Sequence, residues 1–248
     1  MKRVIRNIIG GFGWSLLLGQ LVFGYYEGIK MGTRAQGMGE AFVGLADDIN
    51  AIYYNPAGLG NLANFQIPTF YYRPYTGLDL GGIYQTYFAI GGPIPRYSDW
   101  GGVGIGWLRR SASIVLNEEE EGATSEYPLL AENILYFSWG KRQPLDFILP
   151  YWNQRVNLPD FSWGVNLKIL FYGWNPQVVN LNCDNSWWQG DYGDGGISLD
   201  GGVLFRLSQL PGFKFGIVIT NLLKTNISVK DEQHQEYIET RFKLGGSY

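Results

Sequence analysis

Apolar and polar residues alternate with a period of two along much of this chain of 248 residues. Between 162 and 171, for example, Trp163, Val165 and Leu167 are separated by Gly164 and Asn166. Successive side chains of a β-strand point to opposite faces of the sheet, so this period predicts strands with one apolar face. The period predicts an all-β fold of about eight strands, at 65–73, 80–91, 103–107, 133–141, 162–171, 197–208, 213–219 and 241–248.

Two kinds of antiparallel protein produce this alternation. In a soluble sandwich the apolar face is the core, whereas in a transmembrane β-barrel it meets lipid and the small or polar face lines the lumen. The composition favours the barrel, because aromatic residues make up 16% of the chain and charged residues only 17%, against about 25% in average soluble domains. The faces opposite the apolar ones are rich in Gly, which a packed sandwich seldom tolerates. Aromatic residues also cluster near predicted strand ends, as interfacial girdles require, at Tyr71, Tyr72, Tyr75, Trp107, Trp139, Tyr172, Trp174, Trp187 and Trp188.

The first 24 residues have the layout of a secretory signal peptide. A basic region that contains Lys2 and Arg3 precedes an apolar stretch from Ile8 to Phe23, and small residues near Gly24 offer a cleavage site. A transmembrane anchor is the alternative for this stretch, although four glycines interrupt it. Later apolar stretches are shorter than a spanning helix, so a mature chain embedded in a membrane requires a closed barrel. We expect residues 1–24 to be removed on export.

Residues 31–60 lack the strand period and are rich in Gly and Ala. They predict a short helix at Glu40–Ala46, followed by a turn that Asp47 or Asp48 begins and caps. Asn55 precedes a proline and is expected to leave helical geometry, which ends that turn.

Asp47 and Asp48 have two interpretations. The first is structural: they cap a helix and form salt bridges with Arg34 in a folded segment. The second is functional: together with Asn55-Pro56 they hold this segment closed against the rest of the fold.

The same stretch resembles the N-terminal motif of the FadL/PorV-like outer-membrane β-barrels, a superfamily that includes PorV-PorQ type proteins. The family pattern is Gly-x-Arg-Ala-x-x-Met-Gly-x-Ala-Phe, then Ala-Asp-Asp, then Asn-Pro-Ala-Gly-Leu. The residues that match it here are Gly32, Arg34, Ala35, Met38, Gly39, Ala41, Phe42, Ala46, Asp47, Asp48, Asn55, Pro56, Ala57, Gly58 and Leu59. Later echoes are looser, such as Trp163–Lys168 and Thr220–Leu222.

This resemblance implies a fourteen-strand barrel in a bacterial outer membrane, with a small helical hatch inside its lumen. FadL-type members pass long-chain fatty acids or other hydrophobic compounds, and PorV-type members act as scaffold or shuttle components of the type nine protein secretion system. The implied organisation is a signal peptide at 1–24, a hatch at 25–64 and barrel strands at 65–248. The hatch motif would comprise Gly32, Arg34, Met38, Gly39, Phe42, Asp47, Asp48, Asn55, Pro56 and Gly58. A candidate ligand pocket would be lined by Phe42, Ile52, Tyr53 and Tyr54.

The chain departs from this family in length. About eight strands are visible where the family fold has fourteen, and a barrel of ~8 strands is filled by its own side chains. We therefore expect a short or truncated family member whose strands are incomplete at the C-terminus. The long loops are predicted at 112–132, 142–160 and 175–196, and the aromatic stretch Asn175–Tyr192 is a candidate docking surface for protein partners.

Other classes of function have little support. A net charge of −3 and a pI near 5.3 provide no basic footprint for nucleic acid. His234 is the one histidine and Cys183 the one cysteine, so we expect neither an enzyme nor a Cys-based metal site. Calcium at acidic residues such as Asp191 and Asp200 is a weaker alternative to ordinary Asp-Gly turns. The expected partners are outer-membrane lipid, a hydrophobic small molecule and secretion proteins, with no cofactor.

Overall fold

The computed structural model describes residues 30–73, 82–96, 98–117, 124–144, 160–174, 194–206, 212–223, 225 and 237–248. The chain divides into two compact units, Met1–Lys30 and Met31–Tyr248, and almost all described residues belong to the second. The signal segment 1–24, the docking stretch Asn175–Tyr192, Cys183 and His234 lie outside the described residues.

Eight antiparallel strands form one sheet in which each strand pairs with the next along the chain. The number of strands therefore agrees with the sequence pattern. The strands are β1 (Thr69–Tyr72), β2 (Ile83–Pro93), β3 (Gly102–Asn117), β4 (Thr124–Pro144), β5 (Asp160–Trp174), β6 (Asp194–Arg206), β7 (Lys214–Thr220) and β8 (Arg241–Ser247). Among the described strands, β1 and β8 each have one paired edge, and they do not pair with each other.

The predicted loop at 112–132 is wrong. β3 extends to Asn117 and β4 begins at Thr124, so most of this stretch is a long hairpin with a register shift at Ala112/Ser113. The sequence here is mostly Ser, Thr and Glu, which removes the contrast between the two faces and hides the period of two. The backbone nevertheless pairs with the neighbouring strand, because the ladder needs only N–H and C=O groups.

Residues 31–62, which we call the N-terminal segment, contain three short helical turns. These are α1 (Thr33–Gly37), α2 (Ala51–Tyr54) and the 3₁₀ helix η1 (Pro56–Asn61). A second 3₁₀ helix, η2 (Ser98–Trp100), lies in the connection from β2 to β3.

The predicted helix at Glu40–Ala46 is also wrong, because this stretch forms consecutive turns. Glu40 has φ 67° and Ala46 has φ 36°, so the backbone is left-handed at both ends of the predicted helix. The following turn agrees with the sequence, since Asp48 Oδ1 accepts a hydrogen bond from the Asn50 N–H at 2.8 Å. Asn55 is extended at φ −161° and ψ 101°, as the following proline predicts.

The two faces of the sheet have opposite character. One face, which we call the inner face, is buried and carries Gly together with polar residues such as Asn166, Lys168 and Asp200. The other, the outer face, is exposed and apolar. Its exposed large apolar side chains are Phe88, Val103, Ile105, Phe137, Val165, Leu167, Ile169, Phe171, Ile197, Phe215, Phe242 and Leu244. Within the described part of the chain, no helix is long and apolar enough to cross a membrane.

Candidate functional site

A row of glycines runs across the inner face, under the N-terminal segment. Gly102, Gly140, Gly164 and Gly202 are direct cross-strand neighbours on β3 to β6. A side-chain carbon on Gly102 would lie 2.3 Å from the carbonyl oxygen of Leu59, and one on Gly164 would lie 2.4 Å from the carbonyl carbon of Pro56. Such a separation is far inside van der Waals contact, so only glycine fits where these backbones meet.

The row continues onto the last two strands. Gly216 and Gly245 are paired between β7 and β8, and side-chain carbons there would lie 2.2 Å from the Val43 carbonyl oxygen and 2.9 Å from the Gly44 amide nitrogen. We call these six residues, Gly102, Gly140, Gly164, Gly202, Gly216 and Gly245, the glycine row. The Ser247 hydroxyl also donates to the Gly44 carbonyl oxygen at 3.1 Å.

The N-terminal segment forces the sheet to curve. Gly44 touches β8, while the Ile49 side chain approaches Gly91 on β2. Five residues of chain reach at most about 18 Å, whereas β2 and β8 would be about 29 Å apart in a flat sheet with strands ~4.8 Å apart. The sheet is therefore wrapped around the segment, with the inner face concave.

Asn55 joins the segment to the sheet and is fully buried. Its Nδ2 donates to the carbonyl oxygens of Val43 at 2.9 Å and Val203 at 3.1 Å, and its Oδ1 accepts from the Ala57 N–H at 3.1 Å. This satisfies the side-chain amide through one turn of the segment and one strand. Pro56 follows at the first position of η1, where its missing N–H is no loss.

Arg34 pairs with both predicted aspartates. Its guanidinium contacts Asp47 through two nitrogens at 2.5 and 3.0 Å and Asp48 through one at 3.1 Å, and it lies 5.5 Å from the centre of the Phe42 ring. Partial burial raises the pKa of Asp47, but the hydrogen bond and charge of Arg34 outweigh burial and hold the pKa below its ordinary value. These side chains are partly exposed, so the ion pairs are accessible to solvent.

The other residues of the motif have structural positions. A side-chain carbon on Gly58 would lie 2.0 Å from the Ala46 carbonyl oxygen, and one on Gly32 would lie 2.9 Å from the Asn50 side chain. Gly39 has φ 64°, a conformation that favours glycine. Met38 is 41% exposed and lies in the turn after α1.

Three of the four candidate pocket residues are packed core. Phe42 and Ile52 have no exposed surface, and Tyr54 packs on Phe42 with ring centres 5.4 Å apart. The Tyr54 hydroxyl donates to the Met31 carbonyl oxygen at 2.9 Å, and burial raises the pKa of Tyr54 to about 12. Only Tyr53 is half-buried, and its ring is 5.5 Å from the Lys243 amino nitrogen. In this arrangement the four do not line an open pocket.

A buried polar network on the inner face was not predicted as a site. Lys168 and Asp200 form an ion pair at 2.6 Å, and both side chains are less than 10% exposed. Asp200 also accepts from the Asn221 N–H at 3.0 Å and from Asn166 Nδ2 at 3.2 Å, while Asn166 donates to the Ile52 carbonyl oxygen at 2.8 Å. The signal was present in the sequence as polar residues at alternate positions in the middle of predicted strands.

This network also bears on the calcium alternative. Both carboxylate oxygens of Asp200 already accept hydrogen bonds or an ion pair from neighbouring side chains and backbone. Among the described residues, no group of three or more acidic, His or Cys side chains could hold a metal ion.

Comparisons with protein-family models, with curated proteins and with solved structures gave no significant match for this chain.

Proposed function

We propose that this chain is a β-barrel protein of a bacterial outer membrane, and that it allows hydrophobic small molecules such as long-chain fatty acids to cross passively. The observation that carries this proposal is the polarity of the sheet. Val165, Leu167 and Ile169 are 42%, 39% and 36% exposed, whereas Asn166 and Lys168 between them are buried. A water-soluble sheet buries its apolar face instead, so an exposed apolar band is expected where lipid covers it.

Strand length and aromatic residues support the same proposal. β3 to β6 have 16, 21, 15 and 13 residues, more than the 9–11 or so that a tilted strand needs to cross a bilayer. Near one end of the sheet, Trp139 and Trp163 pack edge to face, and Phe161 and Phe205 lie 6.0 Å apart. Such a belt is typical of a membrane interface.

The proposed orientation places the glycine row towards the periplasm. The row lies near the end of the sheet that we call the turn end, where the connections 94–101 and 207–213 are short. The opposite end has the longer connections 175–193 and 221–240. Bacterial barrels have short periplasmic turns and longer outer loops.

We further propose that only part of the N-terminal segment moves as a hatch. Residues 43–62 are seated on the glycine row and tied to β6 by Asn55, which makes them a fixed plug. Residues 32–41 include several exposed side chains and are joined to the plug through the ion pairs of Arg34 with Asp47 and Asp48. Opening would break these ion pairs and expose the Phe42 and Tyr53 region.

The test has two stages. First, the expressed mature chain is extracted from outer membranes with carbonate and run in detergent with and without boiling; resistance to extraction and a mobility shift are expected. Second, uptake of a fluorescent fatty acid into vesicles containing the protein is compared for the wild type, Arg34→Gln and Arg96→Gln. Faster uptake is expected for Arg34→Gln alone. Soluble behaviour in the first stage would contradict the membrane proposal, and equal uptake in the second would contradict the hatch.

A second candidate function is a PorV-like scaffold or shuttle for type nine protein secretion. The observation that favours it is the filled inner face, where the glycine row and the Lys168–Asp200 network leave the plug tightly held. A scaffold needs no opening, so uptake by the wild type would equal that of empty vesicles. Co-purification of secretion proteins with the membrane-inserted chain would then support this second function.

A further inference from the structure

A cluster of charged side chains at the turn end of the inner face has no role in the proposed passage. Asp160, Arg206 and Lys214 occupy directly paired positions on β5, β6 and β7. Arg142, on β4, forms an ion pair with Asp160. We call these four residues the rim cluster; it contains three cations and one acid.

The acids near the rim cluster already have partners. Asp160 accepts a hydrogen bond from Arg142. Asp47 of the plug attracts both Arg206 and Lys214, but its two oxygens accept hydrogen bonds from Arg34. Within the described part of the chain, Arg206 and Lys214 therefore make no side-chain hydrogen bond and no ion pair within 4 Å.

This arrangement is electrostatically unfavourable by itself. Like charges directly opposite each other on paired strands repel, and Arg206 and Lys214 are both half-buried. The Nε of Arg206 is buried and has no acceptor, although a buried charged donor normally has one. An anion that bridges the two side chains would remove the repulsion and supply the missing acceptor.

We propose that Arg206 and Lys214 bind a small oxyanion of the phosphate class. The two side chains carry two positive charges, which matches a dianion such as hydrogen phosphate. A guanidinium presents a planar fork of donors to phosphate oxygens, and an ammonium adds a compact point charge. Free phosphate and the phosphate group of a lipid share this chemistry.

The binding test uses the folded full chain in a neutral maltoside detergent without phosphate, titrated calorimetrically with inorganic phosphate. We expect saturable binding to the wild type and at least a tenfold loss of affinity in the double variant Arg206→Gln/Lys214→Gln. Lys141→Gln is the matched control, because Lys141 is next to Arg142 on β4 but on the outer face. This variant should bind phosphate as the wild type does.

Two further measurements make the test decisive. The charge-preserving variant Arg206→Lys/Lys214→Arg should retain most of the affinity, which covers a neutral variant that fails to fold. Phosphatidylglycerol added to the micelles should compete with phosphate if a lipid is the natural source, and should leave binding unchanged if the source is free phosphate.

No binding to the wild type, or equal binding to the neutral double variant, would overturn the proposal. Displacement of phosphate by equimolar chloride would also overturn it, because it would show general screening rather than a site. None of these outcomes depends on fatty-acid uptake, so this proposal and the proposed function fail separately.

Discussion

The side chain of Asn55 donates a hydrogen bond to the carbonyl oxygen of Val203, a residue 148 positions later in the chain. The same amide group also holds the carbonyl oxygen of Val43 and the N–H of Ala57. One buried side chain thus fixes both the internal shape of the plug and its position on β6.

Replacing Asn55 with Ala should therefore destabilise the fold strongly. The change removes three hydrogen bonds and leaves buried backbone groups unsatisfied, which corresponds to about 2–4 kcal/mol in total. Urea unfolding of the detergent-solubilised chain, followed by the mobility shift on heating, measures the loss. Asn64→Ala is the control, since Asn64 is exposed and should change stability little. Equal midpoints for the two variants would contradict the anchoring role of Asn55.

Gly202 and Gly201 provide a matched pair of adjacent glycines on β6. A methyl group on Gly202 would meet Asn55 Oδ1 at 2.2 Å, whereas one on Gly201 would meet only Leu222 at 3.9 Å. We expect Gly202→Ala to cost about 1–3 kcal/mol through overpacking and to increase protease cleavage within residues 31–62. Gly201→Ala should behave as the wild type does. Similar cleavage in both variants would argue against backbone contact along the glycine row.

The ion pairs of Arg34 predict a specific pH dependence. Because the folded pKa of Asp47 is below its ordinary value of 3.8, its stabilisation is present above that value and is lost as the pH falls through the folded pKa. The pairs are partly exposed, so the contribution is about 0.2–1 kcal/mol and decreases with salt. Protease cleavage in residues 32–41 should rise below pH 4 in the wild type. It should already be raised at pH 7 in Arg34→Gln, and an unchanged pH profile in that variant would contradict the assignment.

Lys168 and Asp200 should show strong energetic coupling. Lys168→Met leaves a buried carboxylate without its cation and should cost about 3–5 kcal/mol. The double variant Lys168→Met/Asp200→Leu removes both charges and should recover most of that loss. A double-mutant cycle by urea unfolding measures the coupling. Additive effects would show that the two charges do not stabilise each other.

Leu167 distinguishes a lipid-facing surface from a wet one. Leu167 is 39% exposed at the middle of β5, so Leu167→Arg in water should be nearly neutral. On a lipid face near the membrane midplane, the same change should cost about 2–4 kcal/mol. Folding into lipid vesicles, compared with folding in urea-containing buffer, measures the difference. Leu222→Arg is the control, because Leu222 is 49% exposed beyond the end of β7 and should tolerate the charge in either medium.

The sequence predicted the centres of the strands better than their ends. β5 was predictable because Trp163, Val165 and Leu167 contrast with the Gly and Asn residues between them. The hairpin of β3 and β4 beyond Ala112 was not, because polar residues occupy both faces and the pairing is made by the backbone. Propensity also favoured a helix through Glu40, where tertiary contacts hold a left-handed backbone instead.

The site was predictable only in part. The ion pair of Arg34 with Asp47 follows from charge and proximity along the chain, and the structure has it. The partners of Asn55 could not be inferred, because Val203 is distant in sequence and offers only a backbone oxygen. Glycines such as Gly164 were visible as a feature of the inner face, but what they contact depends on how the sheet curves.

The contact between Gly44 and Gly245 sets an order of events during folding. Residues 43–62 are synthesised before any strand, yet their seat is complete only when β8, about 200 residues later, has joined the sheet. Contacts of such long sequence separation make folding slow, because chain entropy is lost before the contacts form. The earliest part of the plug to leave the ribosome is therefore the last to become fixed, and until then it is open to proteases and chaperones.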